Sequence, residues 1–149
     1  MLKSLVAGLA LSVVALGANA AELMETTSPH SVDETVTRFV SAAEKAGATI
    51  FAQIDHAEGA SSVGTEMEPT MLIVVGNPKI GTPVIAADRR AGLDLPLRVL
   101  VWEADGKTMV AYEQPSEIKT RHGVEGADAS FEKMQGALDK LVGAATQAD

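Results

Sequence analysis

The segment from Met71 to Pro96 constrains the fold most, because strand, turn and helix signals follow one another without a gap. Its first part, Met71–Val75, is wholly apolar and does not alternate, which is typical of a strand covered on both faces. A Gly-Asn-Pro sequence follows and predicts a turn. Thr82 as N-cap and proline at the first helical position predict a short helix over Pro83–Arg90. The rest of the chain is expected to pack around this unit.

One amphipathic helix is predicted before this segment in the sequence and another after it. In Val32–Ala46 the apolar residues recur at helical spacing, and Ser31 with Glu34 forms a capping box at the start. Ala129–Ala145 carries a second apolar stripe. Each helix has one face to bury, so both are expected to pack on a sheet.

Five strands are predicted, joined by a mixture of helices and short turns. Asp105-Gly106 is a hairpin signal between the last two strands. The element order indicates an α+β fold: a β-α-β-β-α-β-β-α two-layer sandwich with a mainly antiparallel five-stranded sheet and helices on one face. The predicted strands are Glu22–Thr27, Ala48–Asp55, Glu66–Val75, Leu97–Glu103 and Thr108–Gln114; His56–Gly64 and Ser116–Gly126 are predicted as polar connections, the first with at most one helical turn.

Residues 1–20 have the pattern of an export signal. Lys3 supplies the positive start, Leu5–Gly17 is the apolar stretch, and Ala18-Asn19-Ala20 is a small-residue cleavage site. The apolar stretch is shorter than the roughly 20 residues of a membrane-spanning helix. The sequence therefore predicts cleavage after Ala20, a periplasmic location and one domain over residues 21–149, with no membrane attachment after cleavage.

Composition excludes several classes of function. The 149 residues contain no cysteine, which excludes thiol catalysis, thiolate metal sites and haem attachment through cysteine. The formal charge is −8, and loss of Lys3 with the signal would make it one unit more negative. Nucleic acids and anionic membranes bind clustered Lys and Arg, so neither partner is expected. No cofactor is predicted.

Alternation along the strands predicts two unlike sheet faces. One carries aliphatic residues and is expected to meet the helices. The other is expected to be a surface for a partner or a ligand, since it collects aromatic side chains. Three interpretations of this second face stay open: a homodimer interface, a surface covered by the chain itself, and a small-ligand pocket. A β-bulge in a strand would exchange the faces assigned to the residues beyond it. The helix side is assigned Ile50, Ala52, Ile54, Leu97, Val99, Val101, Met109 and Ala111, and the mixed second face Thr49, Phe51, Gln53, Asp55, Arg98, Leu100, Trp102, Val110 and Tyr112.

Polar residues near the ends of the strands supply the remaining candidates. Asp55-His56 ends the second strand, and Arg121-His122 lies in the second connection. If His56 and His122 converged they could bind a divalent metal or act in acid–base catalysis; otherwise they form structural hydrogen bonds. No catalytic motif is present, so no catalytic residue is assigned and an enzyme is the less favoured interpretation. The candidate binding residues are Asp55, His56, Asn77, Arg98, Trp102, Tyr112, Arg121 and His122.

The chain resembles a bacterial and archaeal family known as domain of unknown function 302. The resemblance extends over nearly all of residues 21–149 and implies a compact α+β domain related to the TATA-binding-protein-like sandwich, in some members a dimer. It implies no activity. The residues that carry it are Ile54-Asp55-His56-Ala57, Pro69-Thr70, Gly76-Asn77-Pro78, Gly81-Thr82-Pro83, Leu93-Asp94-Leu95-Pro96-Leu97, Val101-Trp102-Glu103, Tyr112, Pro115 and Arg121-His122-Gly123.

Overall fold

A computed structural model describes residues 23–149, so the predicted export signal lies outside the described residues. Five strands and five α-helices are present there, with one 3₁₀ turn at Arg89–Leu93. The strands are β1 (Leu23–Ser28), β2 (Thr49–Asp55), β3 (Thr70–Gly76), β4 (Leu97–Ala104) and β5 (Lys107–Glu113). The helices are α1 (Val32–Lys45), α2 (His56–Ser62), α3 (Pro78–Ala87), α4 (Pro115–His122) and α5 (Asp128–Thr146).

The strands form one antiparallel sheet in the order β1-β5-β4-β3-β2. β4 and β5 form the expected hairpin: Ala104 pairs with Lys107, and Asp105 and Gly106 both have positive φ, at 52° and 72°. Two such residues are typical of the tight turn whose twist matches a hairpin. The predicted α+β class and antiparallel sheet are confirmed.

The core lies between one face of this sheet and the helices. α1 and α5 pack against each other, and α3 and α4 pack against α5. Phe39 of α1 and Leu138 of α5 are buried in the same hydrophobic cluster as Val99 and Val101 of β4. This burial explains why the sequence carries one apolar stripe on each of the two long helices.

One half of the capping box predicted for α1 is present. The Ser31 hydroxyl accepts a hydrogen bond from the Glu34 backbone N–H at 3.2 Å. The Glu34 carboxylate lies 3.2 Å from His30 Nδ1 and 3.1 Å from Arg38 Nε. The Ser31 side chain therefore supplies the helix start, while the Glu34 side chain serves a salt bridge along the helix.

Ser31→Ala should lower the free energy of unfolding by about 1 kcal/mol, because one N–H of the first turn loses its acceptor. Urea denaturation followed by circular dichroism measures this. Ser130→Ala, a change of the same kind inside the first turn of α5, is the control and should cost less. Equal losses for the two variants would contradict a specific capping role for Ser31.

The helix after β3 begins earlier than predicted, at Pro78 instead of Pro83. Asn77 is the N-cap: its side-chain oxygen accepts from the Lys79 N–H at 3.0 Å. Asn caps better than Thr, and Pro78 then takes the first helical position, where no N–H is needed. Pro83 consequently lies inside α3, where the missing N–H leaves one helical hydrogen bond unmade.

Both segments predicted as polar connections contain helices. Asp55 caps α2 by accepting from the Glu58 N–H at 2.9 Å. α4 has Pro115 at its first position and ends at Gly123, which has φ of 61°. These are ordinary start and stop signals, but α2 buries no residue and α4 buries few, so neither has the apolar stripe that marks a long helix.

β3 also starts later than predicted, at Thr70 instead of Glu66. The residue before it, Pro69, has no N–H to donate to a neighbouring strand, and its carbonyl accepts from the Glu103 N–H at 2.9 Å. Pro69 therefore makes the first hydrogen bond between this segment and β4, and regular strand pairing begins one residue later, at Thr70.

Candidate functional site

The register of β4 and β5 changes the predicted assignment of the two sheet faces. Val99 pairs with Tyr112 and Val101 with Val110, so Val110 and Tyr112 lie on the helix side. Their assignment to the second face was wrong. The Tyr112 hydroxyl donates to Asp139 Oδ1 of α5 at 3.0 Å. Burial of Tyr112, together with this carboxylate, raises the pKa of the phenol.

A bulge changes the phase of β2. The pairing passes from Ile50 opposite Val75 to Ala52 opposite Val74, so Phe51 is an extra residue. Ala52 and Ile54 therefore lie on the side away from the helices, contrary to prediction, while the 52% exposed Phe51 side chain lies at the corner of the sheet beside Gly76. Of the three aromatic residues predicted for the second face, Trp102 is the one that the pairing places there.

The side of the sheet away from the helices is called the open face. Its side chains alternate with those of the core: the buried cluster of residues 23–149 includes Val99 and Val101 but not Leu100 or Trp102. By the observed pairing, the open face carries the apolar residues Leu23, Ala52, Ile54, Leu72, Val74, Leu100, Trp102, Ala104, Met109 and Ala111, and the polar residues Glu25, Thr27, Thr70, Arg98, Lys107 and Glu113.

A charged cluster lies at the end of the open face where β4 begins. Asp94 is its centre: Oδ2 is 2.7 Å from both Arg121 Nη1 and His122 Nε2, and Oδ1 is 3.1 Å from Arg98 Nη2. Arg121 also donates to the carboxylate of Glu113. An ionised carboxylate can only accept, so Nε2 of His122 carries the proton. These five residues are called the Asp94 cluster.

The fold collects this cluster from four separate segments. Arg121 and His122 are in the last turn of α4, and Glu113 ends β5. Asp94 follows the 3₁₀ turn, and Arg98 follows it by four residues. The predicted residues Arg98, Arg121 and His122 are thus brought together, and the two carboxylates that join them were missed. An acid next to an apolar residue, as in Asp94-Leu95, was the available signal, because Leu95 is buried and an acid drawn toward the core with it needs a partner.

The contacts within the Asp94 cluster favour the charged forms of its side chains. Partial burial raises the pKa of Asp94, but the hydrogen bonds from His122 and Arg121 outweigh this effect and leave the pKa below its ordinary value. The hydrogen bonds to Glu113 and Asp94 raise the pKa of Arg121. Asp94 therefore stays ionised near neutral pH, and its side chain is 13% exposed.

Asp94→Asn should lower the free energy of unfolding at pH 7 by about 1–3 kcal/mol, because hydrogen bonds to a charged group are lost. The folded pKa of Asp94 is depressed, so its contribution is present above the unfolded pKa of about 4 and is lost as the pH falls through the folded value. Urea denaturation at several pH values should show a smaller acid-induced loss in Asp94→Asn than in the wild type. Parallel curves would contradict this role of Asp94.

A depression of about 390 Å³ joins the Asp94 cluster to the open face. Apolar side chains of the open face form one part of its wall and the charged groups form another. The arrangement suits a partner with an apolar body and a polar margin. The residues concerned are Leu23, Leu72, Leu100 and Ala111 of the open face, Leu97, Tyr112 and Ile118 of the core, and Asp94, Arg98, Glu113 and Arg121 on the charged part.

His56 lies elsewhere. Positions along β3 show the separation. His56 follows Asp55, which pairs with Met71 near the start of β3, whereas Asp94 lies shortly before Leu97, which pairs with Val75 near the end of β3. Four residues of strand, about 13 Å, separate these levels of the sheet. A metal–nitrogen bond is about 2 Å, so the structure does not place His56 and His122 where one ion could bind both.

The other predicted polar residues have structural partners. Asp55 caps α2 and Asn77 caps α3. In the described residues, one group of acids with a histidine has atoms close enough to share a cation: His30, Glu34 and Asp149. Both ring nitrogens of His30 already face acceptors, Glu34 at 3.2 Å and the Gln147 carbonyl at 2.9 Å. Arg38 pairs with both carboxylates, so its charge opposes a metal there.

Known proteins provide a further comparison. The family described as "Domain of unknown function DUF302" matches residues 24–141. "Fluoride-specific ion channel FluC 1" of Brucella suis biovar 1 (strain 1330) is 39% identical over 103 residues, which are 68% of this chain and 41% of that protein. The protein of the same name from Brucella abortus biovar 1 (strain 9-941) is also 39% identical over 103 residues, 38% of its length. This chain thus spans about two fifths of these relatives.

No helix in residues 23–149 has the length and apolar composition needed to cross a bilayer. The fold is that of a solved structure, "Crystal structure of uncharacterized conserved protein DUF302 from Bacillus stearothermophilus", with a TM-score of 0.76 and 16% sequence identity, over 84% of this chain and 98% of that one. The family match covers most of the chain, and the chain therefore belongs to the DUF302 family.

Proposed function

We propose that this protein is an exported, non-enzymatic interaction domain that forms a homodimer through the open face of its sheet. The observation that carries the proposal is the apolar centre of that face, which lies outside the main core cluster. Leu72 and Leu100, both half-buried, lie side by side with the buried Ala111 across three strands, and the main core cluster of the described residues lies on the opposite side. An apolar patch of this kind on a small domain marks a binding surface.

The open face is large enough for a dimer. Five strands about 4.8 Å apart, each about seven residues long, span roughly 500 Å². Two such faces would bury about 1,000 Å², which is the lower limit for a specific protein–protein interface. A second copy meets this requirement with the same surface on both sides, as two-fold symmetric dimers do.

The distribution of polar groups also fits an interface. The apolar centre is bordered at one end by the Asp94 cluster, whose Arg98 lies on the open face itself and is half exposed. Protein interfaces combine an apolar centre with a charged, solvent-accessible rim. The cluster would then contribute orientation and solubility at the margin of the dimer.

Native mass spectrometry and light scattering of the purified protein over a range of concentrations test the proposal. Twice the chain mass is expected, with dissociation on dilution. In the periplasmic fraction the intact mass should correspond to a chain beginning at Ala21. A monomer at every concentration would refute the dimer, and an unprocessed chain in the cytoplasm would refute export.

A further inference from the structure

A second cavity lies on the other side of the sheet, between α3 and α5, and has no part in the proposed dimer. Its volume is about 230 Å³. The walls come from the end of β3, the start of β4 and the two helices. Six apolar side chains line most of it: Val75, Ile80, Ile85, Leu97, Met134 and Leu138.

From this cavity we infer a binding site for a compact, uncharged hydrophobic molecule, either a one- or two-ring aromatic compound or a short hydrocarbon chain. The charge of the lining supports this class of ligand. Among residues 23–149 no charged side chain lines the cavity, although the protein carries a formal charge of −8. A charged ligand would lose its hydration there without gaining a partner.

The polar groups at the cavity are mostly occupied. Asn77 uses its side-chain oxygen to cap α3, accepting from Lys79 N–H at 3.0 Å. The other polar lining side chain is that of Thr82, which is exposed. An uncharged ligand with at most one hydrogen-bonding group therefore matches the wall.

The size of the cavity limits the ligand. An apolar cavity of about 150 Å³ can hold benzene, so about 230 Å³ has room for two fused rings. Small residues create part of this space: Gly81 and Ala137 lie on the wall, and a Cβ atom at Gly81 would meet no atom within 4 Å.

Part of the cavity wall belongs to the packed core. Val75, Met134 and Leu138 are buried in the core. A Cβ atom at Gly76 would lie 3.1 Å from Pro96 Cβ, so the end of β3 and the start of β4 are already in close contact. Phe51, half exposed in the β2 bulge, also lines the cavity, so this part of the wall borders solvent.

The test uses indole, which is uncharged, has two fused rings and dissolves in water. Indole is added to ¹⁵N-labelled protein, and amide shifts are followed by NMR. Saturable shifts are expected at Gly76, Gly81 and Ala137. Ala137→Phe should fill the cavity and weaken the affinity about tenfold or more, whereas Ala144→Phe, an exposed position on the same helix, should bind as the wild type does. Indole-3-carboxylate, the charged analogue, should bind about tenfold more weakly than indole.

Several results would overturn the inference. Absence of saturable shifts would exclude the site, and shifts confined to Leu100 and Ala111 would place indole on the open face. Cavity shifts that depend on protein concentration without indole would identify a second copy as the occupant. Cavity shifts that distinguish the full-length chain from a chain beginning at Ala21 would identify the chain's own amino-terminal segment as the occupant. Equal indole affinity of the Ala137→Phe and Ala144→Phe proteins would also contradict the assignment.

Discussion

Phe39→Ala should lower the free energy of unfolding by about 3–5 kcal/mol. Phe39 projects from α1 into the core and is 0% exposed, among residues of α5 and β4 that are themselves buried. Truncation removes the transfer energy of the ring and leaves a cavity that the surrounding helices and sheet cannot fill. Since small domains are stable by about 5–15 kcal/mol, a large part of the protein's stability would be lost.

Urea denaturation measures this loss, with the fluorescence of Trp102, the one tryptophan of the chain, as the signal. Phe51→Ala is the matched control, because the same ring is removed at a position that is 52% exposed. It should cost less than half as much. If the two variants unfold at the same urea concentration, the centre of the core does not lie where the structure places Phe39.

Leu100→Lys should convert the proposed dimer to a monomer. Leu100 lies at the middle of the open face, with Leu72 and Ala111 as its cross-strand neighbours. In a two-fold dimer the substitution would bury two ammonium groups, one from each copy, in an apolar interface. The dissociation constant should rise about 100-fold or more, and light scattering at a fixed protein concentration should then report a monomer.

Leu93→Lys is the matched control for this experiment. Leu93 is 81% exposed and lies in the 3₁₀ turn outside the open face, so the same charge there should leave the dimer intact. Circular dichroism should show that both variants are folded. A Leu100→Lys protein that remains dimeric would show that the copies associate through another surface.

Local patterns determined much of the architecture. The stripes of α1 and α5, the cap at Ser31 and the hairpin at Asp105-Gly106 are properties of neighbouring residues, and the structure has all four. α1 and α5 must each bury one face, and the strands must pair. These requirements are sufficient to predict a two-layer α+β sandwich.

The assignment of residues to the sheet faces depended on the register. A two-residue hairpin places residues symmetrically about Asp105-Gly106, which puts Tyr112 beside Val99; this could have been worked out from the turn. The bulge at Phe51 could not. Its position depends on how β2 meets β3, and one extra residue reverses every side chain beyond it.

The Asp94 cluster is a product of tertiary structure. Arg98, Arg121 and His122 were identified from the sequence as candidates, but Asp94 and Glu113 join them only because α4 folds back beside the start of β4. The same packing places His56 and His122 about four strand residues apart along the sheet. The sequence by itself determined which segments become helices and strands and that one layer must cover the other, because those properties depend on residues a few positions apart. Which charged groups meet, and which sheet face stays open, was decided by contacts between segments far apart in the chain, whose geometry no local pattern contains.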